Sequence, residues 1–255
     1  MKKLPCGLVL ALALFLSVPS AFAVDIWDEA DVKDNSATTT INQLQNGEWQ
    51  DHDLEAVGGI ADQDWYVVGV AAGRSYQVSV GQLTGDVPIS NSDFLTLWDS
   101  TGTTLFITAA SGTTGKSFRW ISDSTGSPRV RVKGSDTTTS KSQYSIVLNE
   151  TTLFCPRFNS SGTQVSVLIL QNTVTSSCDV TVSFFNEAGV LLGTYATTVA
   201  SYATMVLPAA SVPNVSGQKG SAQVASLCNL GSLKGKLVAL EPATGFSFDT
   251  MCETR

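Results

Sequence analysis

Short runs of β-branched and aromatic residues recur along this chain, separated by Gly, Ser, Thr, Asn and Asp, and helix signals are nearly absent. That pattern restricts the fold more than any other feature, because period-two segments bounded by turn residues are strands. In 75–80, Tyr76, Val78 and Val80 alternate with Ser75, Gln77 and Ser79, so one face is apolar and the other polar. In 65–70 the run is mostly apolar on both faces. Further strands are expected at 94–98, 104–108, 117–121, 129–133 and 143–148. A second set is expected at 165–171, 179–185, 190–199, 203–207, 221–227 and 234–240. The reading is all-β: two consecutive β-sandwich domains, the first jelly-roll-like and the second immunoglobulin-like.

Composition changes at the junction. All five tryptophans precede residue 121, and four of the five cysteines follow residue 154. With the turn-rich 149–152 between them, the expected units are 45–149 and 150–255, each of ordinary domain size.

The chain opens with Lys2 and Lys3, an uncharged apolar run over 8–18, and Ala21-Phe22-Ala23. Basic, apolar and small-residue segments in that order form a secretory signal peptide, expected over 1–23 and cleaved before Val24. The apolar run falls short of the ~20 residues that cross a bilayer. Cleavage leaves 13 basic against 22 acidic residues, a formal charge of −9, a poor match for nucleic acid, whose phosphates need Lys and Arg. Export to the periplasm, cell surface or medium also suits disulfides between Cys155, Cys178, Cys228 and Cys252. Three pairings are open to four cysteines. The preferred one joins Cys178 to Cys228 and Cys155 to Cys252, the latter tying the two ends of the second unit. Zinc is not expected, since no Cys-x-x-Cys pair or neighbouring His is present.

Acidity concentrates at the front. Residues 25–64 hold eleven carboxylates against Lys33 alone, and 24–44 reads as an acidic leader. The stretch Gly59-Ile60-Ala61-Asp62-Gln63-Asp64-Trp65-Tyr66, its apolar strand, the turn at Gly73 and the second strand to Tyr76 resemble the opening of a bacterial pre-peptidase C-terminal domain. Phe94 to Asp99 followed by Gly102, and Val130-Arg131-Val132 leading to Tyr144-Ser145-Ile146, extend the resemblance over about 45–149. It implies a β-sandwich accessory domain of the kind attached to exported enzymes; some such domains bind collagen or polysaccharide. It also implies calcium near an Asp-x-Asp, here Asp62 and Asp64, with Asp51 and Asp53 as further oxygen donors; clustered carboxylates suit that hard cation.

Other candidates come from the residues alone. Arg129, Arg131 and Lys133 alternate with Val130 and Val132, so period two puts three cations on one sheet face. They form a docking stripe for an anionic polymer or an ordinary solvated face. Among the tryptophans, Trp49 is expected to be exposed and ligand-binding; Trp98 and Trp120 share parity with Phe94 and Phe118 and are expected in the core. His52, the one histidine, is expected in a solvated acidic loop without a nucleophile beside it. Gly112-Thr113-Thr114-Gly115-Lys116-Ser117 fails the phosphate-loop pattern at Ala110 and reads as a hairpin turn. The functional expectation is an exported, non-catalytic binding or adhesion module for a polysaccharide or a matrix or surface polymer. The alternatives are an extracellular structural or assembly protein and, behind it, a hydrolase whose carboxylate pair sequence cannot place.

Overall fold

A computed structural model describes residues 34–56, 59–110, 112–138 and 142–255. The expected signal peptide, the first ten residues of the acidic leader and Trp27 lie outside the described residues.

The described chain is all-β. Sheet I follows the order β1-β3-β8-β5-β6 and packs against sheet II, β2-β9-β4-β7. Here β1 is Gln43–Leu44, β2 Trp49–Asp53, β3 Gln63–Val68, β4 Ser75–Thr84 and β5 Leu95–Trp98. The set continues with β6 Leu105–Thr108, β7 Lys116–Ile121, β8 Arg129–Lys133 and β9 Gln143–Glu150. Between the sheets lie Tyr66, Val68, Tyr76, Val78, Phe94, Trp120 and their neighbours, the inward set that alternation assigns to β4 and β7.

The second sandwich is built the same way from sheet III, β10-β15-β12-β13, and sheet IV, β14-β11-β16-β17. Its strands are β10 Leu153–Asn159, β11 Val165–Asn172, β12 Cys178–Asn186, β13 Leu191–Val199 and β14 Thr204–Pro208. They end with β15 Lys219–Ser226, β16 Leu233–Glu241 and β17 Phe246–Cys252. The disulfides Cys155–Cys252 and Cys178–Cys228 both lie in this core, the second nested within the first in sequence. The two outer faces differ in chemistry. Sheet III presents Thr181, Ser183 and Gln223 with Leu191 at its edge, whereas sheet IV presents Val165, Ile169, Val206 and Leu240 around the Lys236–Asp249 ion pair, with Val206 60% exposed.

No sheet runs across the junction: β9 belongs to sheet II and β10 to sheet III. Contacts between the sandwiches are mostly polar: Asn46 Nδ2 donates to the Arg255 carbonyl at 2.9 Å, and the Arg74 guanidinium lies 5.2 Å from the Phe154 ring centroid. The Arg119 guanidinium donates to the Leu227 carbonyl at 3.1 Å, and the Leu230 N–H to Gln77 Oε1 at 3.1 Å. The described part of the acidic leader is no free linker. The Asp34 carbonyl accepts the Trp65 N–H at 2.8 Å, the Asn42 carbonyl accepts Val67 N–H at 2.7 Å, and β1 runs parallel beside β3. Gly102, at φ 72°, is where the turn after β5 passes under this segment; a Cβ there would lie 2.2 Å from that of Ala37. Among the described residues no helix is long and apolar enough to cross a membrane.

Candidate functional site

The cation stripe forms on the outer face of sheet I, as period two requires, but its charges are engaged. The Arg131 guanidinium lies 5.5 Å from the Trp65 ring centroid and 5.0 Å from that of Trp98. It also donates to Gln63 Oε1 at 3.3 Å. Lys133 Nζ is 2.7 Å from Asp93, and that hydrogen bond holds the Asp93 carboxyl below its usual range. Arg129 donates to the carbonyls of Ala37 at 2.9 Å and Ser127 at 2.8 Å. Arg119 turns instead to Leu227 on the second sandwich. Trp98 therefore does not follow Phe94 inward. Phe94, Leu95 and Leu97 all reach the core, parity breaks before β5, and Trp98 stacks outside with Trp65 at 5.8 Å. A guanidinium between two indoles, 13% exposed, gains cation–π attraction on both faces. Arg131→Ala is expected to lower stability by about 1–3 kcal/mol in urea unfolding, and Arg131→Lys to recover only part of it, because a compact ammonium stacks on one ring at best.

The carboxylates expected to share calcium lie on β2 and at the start of β3. Asp51 sits on the exposed side of β2 and accepts the Ser145 hydroxyl at 2.6 Å. Asp53 is half-buried further along β2, and Asp62 accepts the Gln63 N–H at 2.8 Å. Asp64 points into the core, where it accepts the Tyr144 hydroxyl. Among the described residues no group of three or more His, Cys, Asp or Glu is arranged to hold a metal ion.

His52 is the largest departure from expectation. It lies on β2, 3% exposed, edge-on to Tyr66 at 5.0 Å and stacked on Tyr144 at 5.6 Å. The Tyr144 hydroxyl donates to Asp64, so the Tyr66 hydroxyl donates to Tyr144 across 2.5 Å. This chain joins the two sheets through the core. Full burial of Tyr66 and Asp64 keeps a polymer from reaching it.

The accessible feature lies where the first sandwich opens, between the terminal strands β6 of sheet I and β7 of sheet II. A groove of about 690 Å³ is walled by Phe106 and Ile107 on one side and by Trp120 and the 122–128 loop on the other. Its floor is core: Val70, Leu97 and Trp120 belong to the inter-sheet cluster and also line the groove. Leu105 and Phe106, 47% and 56% exposed, stand at its mouth. Asp99 and Asp123 supply the only charges among its lining residues. Desolvation raises the Asp99 carboxyl, but hydrogen bonds from Thr103, Thr104 and Thr101 outweigh it and hold the group well below the ordinary range, so it is ionised at neutral pH. Trp120 sits in the core as alternation expects, packed 5.3 Å from Tyr76, and also lines the groove. Trp49, 53% exposed on the edge strand β2, does not line it. Sequence reasoning missed this site because its walls come from four separated segments. The one local sign was the uncharged run at 105–108, beside a turn.

Fold and groove define the class: an all-β chain of two-sheet sandwiches with an apolar, acid-rimmed opening into one core. No protein-family profile and no curated protein sequence matches the chain. Among solved structures it is similar to a glycosyl hydrolase family 2 member from Bacteroides cellulosilyticus, at 10% identity and a TM-score of 0.23, over 70% of this chain and 26% of that one. An anti-sigma factor domain-containing protein shows 10% identity and a TM-score of 0.23 over 69% and 78% of the two chains. A beta-glucuronidase from Bacteroides uniformis shows 9% identity and a TM-score of 0.21 over 84% and 32%. The chain spans about a quarter to a third of the length of these hydrolases. Likeness at such TM-scores carries no argument about function.

Proposed function

We propose that this chain is an exported, non-catalytic binding or adhesion module that takes an extracellular polymer, a polysaccharide or a matrix or surface polymer, in the groove between β6 and β7. The observation that carries the reading is an apolar concavity of ligand-site size whose floor is the domain core. Preformed sites have this form: hydrophobic walls with a few polar groups placed at the rim. The signal-peptide pattern and two disulfides support export, and the resemblance of 45–149 to pre-peptidase C-terminal domains supports binding without catalysis. Incubating the purified protein with an array of polysaccharides and matrix proteins tests it. Retention of at least one polymer is expected, and Phe106→Ala is expected to weaken that retention by about tenfold, as loss of an exposed aromatic anchor does. Equal retention of wild type and variant would move the site elsewhere.

A structural or assembly role is the second reading. Exposed Val165, Val206 and Leu240 on the outer face of sheet IV favour it, although the Lys236–Asp249 ion pair shares that face, since a solvated antiparallel sheet normally presents polar residues on its open side.

A further inference from the structure

We infer that the polymer held in this groove is a polypeptide strand of cationic, amphipathic sequence, added alongside β6. The inference rests on the binding reading above and names the ligand class for the same site. Edge strands expose unpaired backbone groups and are normally blunted by charge, proline or brevity. In the first sandwich, β1 is two residues long, β2 carries Asp51 and Asp53, and β7 carries Lys116 and Arg119. By contrast β6, Leu105-Phe106-Ile107-Thr108, carries neither charge nor proline.

The hydrogen-bond pattern gives its free side. Thr96 of β5 lies opposite Thr108, and the Ala109 N–H donates to the Leu95 carbonyl at 3.0 Å. Thr96 and Thr108 are therefore a non-hydrogen-bonded pair, and the Thr108 N–H and C=O point away from β5. A strand laid there pairs with those groups and drops alternate side chains over Ile107, Leu97 and Trp120. The charge at the rim selects its composition. Asp99, whose oxygens accept from Thr101 and Thr103 in its own turn, and Asp123 line the groove with no Lys or Arg among the other lining residues, so Lys or Arg between apolar residues is favoured and acidic strands are repelled.

The test is isothermal titration of the full chain with capped octapeptides alternating Val with Lys, alternating Val with Glu, and alternating Val with Lys but N-methylated on one edge. The Val–Lys peptide is expected to bind, more weakly as salt rises, and the other two are not. Phe106→Ala and Thr108→Pro are each expected to weaken binding about tenfold or more. Thr108→Pro removes one outward N–H and is compatible with an edge strand; Asp123→Lys, on an exposed loop, is expected to weaken it and flatten its salt dependence. Binding of the N-methylated peptide, or binding that Phe106→Ala and Thr108→Pro leave unchanged, overturns strand addition at β6; the long uncharged edge β13 is one alternative seat. If no peptide binds while a polysaccharide does and Phe106→Ala abolishes it, the groove reading stands and this inference falls. If neither polymer class binds, both fall.

Discussion

Cys155→Ala combined with Cys252→Ala is expected to destabilise the second sandwich by about 4 kcal/mol while leaving the first unchanged. The bridge closes 97 residues, and a second bridge already closes 50 of them. With the inner loop tied, the outer bridge still constrains roughly half of the span, and loop-closure entropy at that length corresponds to about 4 kcal/mol. Alanine is the better replacement because Cys155 is fully buried among Leu, Val and Phe, where a serine hydroxyl would add its own desolvation cost. The tryptophans make the experiment domain-selective. All five precede residue 121, so indole fluorescence reports the first sandwich and far-ultraviolet circular dichroism reports both. The fluorescence transition in urea should stay in place while part of the dichroism transition moves to lower urea. Transitions that shift together would mean the two sandwiches unfold as one unit.

Tyr144→Phe is the second large effect, expected at about 2–3 kcal/mol in the first sandwich. The hydroxyl it removes donates to the buried Asp64 carboxylate and accepts from Tyr66, and hydrogen bonds to charged groups are worth about 1.5–3 kcal/mol. The same residue sets an alkaline limit. Burial raises the Tyr144 pKa well above 10, with the Asp64 charge and Tyr66 adding to it. Below about pH 10 both folded and unfolded chains hold the proton, so the contribution is flat. Above it the unfolded chain releases the proton and the folded chain retains it, so stability falls as pH climbs toward the folded value. Tyr76, raised chiefly by burial, adds to the same limb. Wild type should lose stability between pH 10 and 12 more steeply than Tyr144→Phe. Parallel curves would remove Tyr144 from the explanation.

The strands of the first sandwich were legible wherever one face was buried, because burial writes itself as alternation: β7 follows its pattern residue by residue, and β4 does so from Tyr76 to Val80, while Ser75 on the polar face is buried under Thr151 and Thr152 at the junction. Legibility failed where neighbours belong to different layers. His52 is flanked by Asp51 and Asp53, and that charge reads as a loop; on β2 it means only that the alternate face is wet. Trp98 shares parity with Phe94, yet Leu95 is buried too, so the count begins again at β5. The cation stripe was visible as a period, but Arg131 meets Trp65 and Trp98 only across β3, β8 and β5, a pairing no local window contains. Nothing in the spacing of Asp62 and Asp64 showed that Asp64 turns inward to the Tyr144 hydroxyl while Asp62 caps the Gln63 N–H. β17 went unread because Ser247, Asp249 and Thr250 dilute the apolar signal of Phe246 and Phe248.

The groove is the centre of the functional account, and hydrogen exchange locates a ligand on it directly. The protein is exchanged with and without the polymer it retains most strongly on the binding array. Protection is expected over Leu105–Thr108 and the 122–128 loop, where the groove walls lie, with no change along β2 around Trp49 or on the outer face of sheet IV. Protection confined to sheet IV or β2, with the groove walls exchanging as before, would contradict the assignment of this opening as the binding site.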